Sequence, residues 1–86
     1  MAQYLPPYLL KRLFSLSSKF NERTFSFEEA RNSLKEDSRI VALVLSRISR
    51  KGWIEVSSDP KNKQKSLYRI KNPGLVKEMA KNMELE

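Results

Sequence analysis

Residues 38–51 read SRIVALVLSRISRK and run directly into Gly52-Trp53, and the rest of the chain is organised around them. At about 100° per residue, Ile40, Val41, Val44, Leu45 and Ile48 fall on one contiguous arc of a helix, and Arg39, Ser46, Arg47, Ser49 and Arg50 fall on the other. The first arc suits packing; the second is left for a partner. Asp37 or Ser38 is placed to accept the free N–H groups of the first turn. Gly52 stands where a left-handed residue stops a helix, and Arg50 and Lys51 bring positive charge to its carbonyl end.

Downstream, Trp53-Ile54-Glu55-Val56-Ser57 and Ser66-Leu67-Tyr68-Arg69-Ile70 are short alternating runs. The stretch between them, SDPKNKQK from Ser58 to Lys65, is polar and carries the Asp59-Pro60 turn signal, so the pair predicts a β-hairpin with a lysine-rich tip. A helix with a basic outer face feeding straight into such a hairpin presents two adjacent surfaces of one charge.

These residues resemble the winged helix-turn-helix DNA-binding superfamily of prokaryotic transcription regulators. The resemblance covers roughly residues 6–73 and is carried by R-I-S-R-K-G-W-I from Arg47, D-P-K from Asp59 and S-L-Y-R-I from Ser66. It implies an α+β fold with a three-helix core, a β-hairpin wing and a C-terminal fourth helix, in one domain spanning residues 1–86. In that superfamily the outer face of the third helix enters the major groove of duplex DNA and the wing touches the backbone or minor groove. By position, Arg39, Ser46, Arg47 and Arg50 would then be helix contacts and Lys61, Lys63 and Lys65 wing contacts, with Lys51 and Arg69 completing the candidate DNA-binding set. Ala42 and Leu43 depart from the pattern, since such regulators more usually carry polar base-reading side chains at outward positions.

Charge supports the same surface. Residues 39–71 hold nine Lys or Arg against two acids, which leaves +7, and the remainder is balanced at eight of each sign. The whole net charge of +7 therefore sits in the helix and hairpin, and a phosphate backbone is its natural counterpart. The bland alternative is a solvated surface, as most charge runs are, but helix face, hairpin tip and strand ends are basic together.

Upstream, Pro6-Pro7 is suited to open a helix after a frayed start at residues 1–5. Leu9, Leu13, Leu16 and Phe20, widened by Leu10 and Phe14, form its core stripe, with Lys11, Arg12 and Lys19 outside. Asn21-Glu22-Arg23 breaks the helix, and Thr24-Phe25-Ser26 is a β-prone piece that would add a third strand. Ser26-Phe27-Glu28-Glu29 fits the capping box, opening a helix that buries Phe27, Ala30 and Leu34; Lys35-Glu36-Asp37 joins it to the main helix. Glu28 and Glu29 read as cap and dipole partners, not a catalytic pair. Trp53 and Tyr68 read as core, the other option being aromatic contacts to nucleic acid. Asn72-Pro73-Gly74 ends the last strand, and Leu75, Val76, Met79, Ala80 and Met83 predict a fourth helix over residues 75–84 that either completes the core or pairs two copies as a homodimer.

Several function classes are disfavoured. The chain has no cysteine and no histidine, so it lacks thiolate chemistry, the commonest zinc ligand and the commonest general base; no enzyme, metal or cofactor is expected. No apolar run approaches a membrane span and no hydrophobic leader opens the chain, which predicts a cytoplasmic protein with no membrane partner. Duplex DNA is the expected partner. Two alternatives share the same fold: a protein-interaction module centred on Leu43 and Ala42, which the G-W-I and Y-R-I-K-N-P stretches liken to the N-terminal winged helices of some prokaryotic antitoxins, and an RNA binder.

Overall fold

In a computed structural model, described here over residues 5–82, the elements run α1 (Pro7–Phe20), β1 (Phe25–Ser26), α2 (Phe27–Leu34), α3 (Ser38–Arg50), β2 (Ile54–Asp59), β3 (Asn62–Ile70) and α4 (Pro73–Asn82). The three strands make an antiparallel sheet in the order β1-β3-β2. This is the expected α+β winged-helix architecture, including the third strand from Phe25 and Ser26, which pair with Tyr68 and Leu67.

Local signals explain why the elements start and stop where they do. Pro7 at the first position of α1 loses no hydrogen bond there. The capping box of α2 is formed in both directions, Glu29 N–H donating to Ser26 Oγ and Ser26 N–H to Glu29 Oε1, each at 3.1 Å. Lys35 closes α2 in the left-handed region (φ 55°, ψ 42°), turning the chain sharply toward α3. Asp37 caps α3, its Oδ1 accepting from Arg39 N–H at 2.8 Å. At the other end Gly52 takes φ 85°, and Gly52 N–H and Trp53 N–H reach back to the carbonyls of Ser49 and Ile48. That pair of bonds is a Schellman stop, and it aims the chain, with Trp53 buried, into β2.

The core gathers the inner stripes of all four helices against β1 and the base of the β2–β3 hairpin, where Phe25, Ile54 and Ile70 are buried. Leu9, Leu10, Leu13, Leu16, Val41, Ile48, Phe25, Ile70 and Val76 are fully buried, each Leu or Ile contributing about 1.5–3 kcal/mol by leaving water. Phe25 stacks between Phe20 (ring centroids 4.5 Å apart) and Tyr68 (5.9 Å), tying α1 to the sheet. Burial pushes the Tyr68 phenol's pKa up. Ser17 lies buried on α1 with its hydroxyl 3.5 Å from the Pro73 carbonyl, and Val76 and Ala80 of α4 are buried in turn.

The structure corrects several expectations. Leu5, expected in the frayed start, is fully buried. Ile40, assigned to the packing arc, is 42% exposed: it stands at the arc's edge in the first turn of α3, about 100° from Val41, and Val41, Val44, Leu45 and Ile48 do the packing. Phe27 and Leu34 are only partly buried, with Ala30 alone sealed on α2. The hairpin is longer than its apolar alternation suggests, because beyond Val56 both of its faces are solvated and backbone pairing rather than burial holds it. Its turn is the two residues Pro60 and Lys61, and Lys63, Gln64 and Lys65 lie between the partners of Ser58 and Asp59 as an irregularity in register. The fourth helix starts at Pro73, not 75, because Asn72 Oδ1 accepts from Leu75 N–H and Pro73 follows it at the first helical position. Residues 1–4 of the expected frayed start, and Met83 and Glu84 of the expected helix, lie outside the described residues.

Candidate nucleic-acid interface

The α3 face turned from the core carries Arg39, Ile40, Ala42, Leu43, Ser46, Arg47 and Arg50, all exposed. Arg39 and Arg50 mark its two ends, eleven residues or roughly 16 Å apart along the axis. Lys51, half-buried, is the C-cap. The wing brings Lys61 at its turn and Lys63 and Lys65 beside it, all exposed. Asp59 shapes that tip, its Oδ1 accepting from Lys61 N–H at 2.9 Å, and Asn62 does the same for Gln64 N–H at 3.1 Å.

The expected site residues thus form two groups. Arg47, Arg50 and Lys51 converge on one cleft of about 400 Å³ that is floored by Pro6, Tyr8 and Leu9 at the start of α1. Lys61, Lys63 and Lys65 form the second group, Lys65 lining a hollow of about 450 Å³ between the wing and the start of α2, where Glu28 is on the wall. Ion pairs among the described residues join Arg12 to Glu36, Arg23 to Glu29, Arg31 to Glu28 and Arg69 to Glu55. Among the described residues, Arg39, Arg47, Arg50, Lys51, Lys61, Lys63 and Lys65 have no such carboxylate partner. Arg69 differs, since its guanidinium donates to Glu55 Oε2 at 3.0 Å across the β2–β3 pair, and that charge is compensated locally.

Two contacts escape sequence reading. Arg47 Nη1 donates to the Tyr8 hydroxyl, so a phenol from α1 aims a guanidinium of α3. A guanidinium has five N–H donors in a fixed fork, and this bond leaves the others free. Arg12, expected merely outside the α1 stripe, forks onto Glu36 with Nε–Oε2 at 2.8 Å and Nη2–Oε1 at 2.6 Å. Those hydrogen bonds hold the Glu36 carboxyl below its ordinary pKa against the opposing effect of burial, and raise that of Arg12. The pair clamps α1 to the turn that sets the angle between α2 and α3. Only the proximity of a Tyr to Pro6-Pro7, and a lone Glu in the turn, stand in the sequence as signals for either.

No helix of the described residues is long and apolar enough to cross a membrane. Groups of acidic residues able to hold a metal are absent among the described residues.

No protein-family model matches the chain, and no curated protein matches it significantly. Solved structures do. The reduced form of MarR from E. coli superposes with a TM-score of 0.71 at 22% identity, over 88% of this chain and 54% of that one. A mutant of the same MarR, complexed with operator DNA, gives 0.69 at 21% identity, over 87% and 52%. BpsR from Bordetella bronchiseptica, whose DNA binding is regulated by 6-hydroxynicotinic acid, gives 0.72 at 24% identity, over 93% and 60%. The chain therefore spans little more than half the length of these proteins. Element order, sheet topology and these superpositions together establish a winged helix-turn-helix fold, the fold that MarR and BpsR have.

Proposed function

We propose that the chain binds duplex DNA, with α3 in the major groove and the wing on the adjacent backbone, as a small transcription regulator or as the DNA-binding part of a larger one. The observation that carries this reading is the common exposure of cations on α3 and the wing, seven in all with the half-buried Lys51, with no carboxylate paired to any of them among the described residues. Phosphates on both sides of a groove are the ligand that such a two-part cationic surface suits. MarR, which shares the fold, was solved in complex with operator DNA, and that supports the same partner here. Arg39, Arg47 and Arg50 reach phosphates or guanine edges, Ser46 lets the helix sit close, and Lys51 and the three wing lysines anchor the backbone. The function is binding, with no bond made or broken.

The test is fluorescence anisotropy of a labelled duplex at two salt concentrations. Arg47→Ala with Arg50→Ala weakens binding more than Lys11→Ala with Lys19→Ala, although both pairs remove two charges. Equal losses would reject α3 as the docking face. Competition by hairpin RNA and single strands completes the assay, and stronger competition by RNA than by duplex DNA would replace the partner.

A further inference from the structure

The outward face of α3 is not uniformly basic. Ile40 and Leu43 are 42% and 49% exposed, lie three residues apart and so occupy one side of the helix, one turn from each other. Arg39 stands beside them at the start of the helix and Arg47 and Arg50 follow on the same side. The matching surface is thus anionic at its margins and apolar at its centre. Between Arg39 and Ser46 that side of the helix offers only Ile40, Ala42 and Leu43, none of which has a side-chain donor or acceptor for a base edge. The small side chains of Ala42 and Ser46 let the helix axis approach closely.

The major groove of duplex DNA has this character wherever thymine stands, with phosphates along the rims and the C5-methyl group projecting from the base-pair edge. Resting on the DNA-binding reading above, we propose that Ile40 and Leu43 are specificity-determining residues that recognise thymine through its methyl group. The preferred half-site then has thymine opposite the first half of α3, next to positions read by arginine. A protein partner with an acidic rim and an apolar centre would match α3 alone; the unpaired lysines of the wing, on a separate element, favour the extended polyanion.

The experiment selects duplexes from a random-sequence library with the full chain at fixed salt, then replaces each thymine of the selected site by 2′-deoxyuridine, which removes only the methyl group. Each contacted methyl is expected to contribute about fourfold in affinity, the value of one buried methyl-sized group. Leu43→Ala and Ile40→Ala should bind thymine and deoxyuridine sites alike while retaining the salt-dependent binding of the arginines and lysines. Both residues are exposed, so unchanged circular dichroism and melting are expected of the variants. If the wild type binds both sites equally with salt-dependent affinity intact, the thymine assignment is overturned and DNA binding stands. If the chain shows no salt-dependent duplex binding, the underlying reading fails first. Should Leu43→Asp abolish self-association in sedimentation while thymine dependence is absent, the apolar pair is a protein interface instead.

Discussion

The sharpest consequence of the interface geometry concerns two arginines that are equivalent by charge and different by surroundings. Arg50 lies exposed on the α3 face without a carboxylate partner among the described residues, whereas Arg69 is held 3.0 Å from Glu55 at the base of the hairpin. Arg69 also stands seven residues from Asn62 along β3, roughly 24 Å from the wing turn. That is beyond the screening length of about 10 Å at 0.1 M salt. If Arg39, Arg47, Arg50, Lys51, Lys61, Lys63 and Lys65 each neutralise one phosphate, log K falls against log salt with a slope of about −6 per bound chain. Raising salt from about 50 to 200 mM then weakens binding on the order of several thousand-fold. Arg50→Gln should flatten that slope by about 0.9, and Arg69→Gln by less than about half as much. Both variants have the same net charge, so a long-range field would treat them alike. Anisotropy titrations of one labelled duplex across a salt series measure both slopes. Equal flattening by the two variants, or a wild-type slope near zero, would refute the assignment of the docking face.

Further outcomes follow from packing, helix ends, the Arg12–Glu36 ion pair and the exposed face of α4. Leu13→Ala, at a fully buried position of α1, should cost about 2–5 kcal/mol in urea unfolding and, in a domain this small, bring the midpoint down sharply. Gly52→Ala should cost about 1 kcal/mol because its φ of 85° suits glycine, while Lys35→Gly, at φ 55°, should raise stability by several tenths of a kcal/mol, roughly up to 1; thermal melts read both. The Arg12–Glu36 clamp, one-quarter exposed, should contribute about 0.5–1 kcal/mol. Because the folded Glu36 pKa lies below its ordinary value of 4.5, that contribution is complete above 4.5 and is lost as pH falls through the folded value, so the stability gap between wild type and Glu36→Gln should close in acid unfolding curves. Finally, Leu75 is 39% exposed on α4 with Met79 partly buried beside it, and if two copies pair through this helix, Leu75→Glu should shift sedimentation toward monomer and remove any dependence of the melting temperature on protein concentration.

The parts of the fold legible in the sequence are those set by neighbours in the chain. The Ser26–Glu29 capping box, the Gly52 stop and the inner arc of α3 each depend on residues within about two turns of one another, and all form. The short strand at Phe25 is readable for the same reason, as a β-prone piece between a helix break and a cap. Contacts between distant residues are not readable. Tyr8 and Arg47 are 39 positions apart and Arg12 and Glu36 are 24 apart, and no periodicity relates a side chain on one helix to a partner it meets only after folding. Ile40 falls on the wrong side because an arc drawn on an isolated helix has no knowledge of where its neighbours end. The wing's turn is marked by Asp59-Pro60, but the extent of its outer strands is not, because a strand wet on both faces has no hydrophobic alternation to detect.

The phenol of Tyr8 has a bearing on engineering. Grafting α3 alone onto a related scaffold, in order to transfer the cationic surface it carries, would take Arg47 away from the hydroxyl that orients it and leave the guanidinium to choose among rotamers. The transferable unit is accordingly discontinuous: the opening turn of α1 must travel with the reading helix, even though it need never touch the nucleic acid.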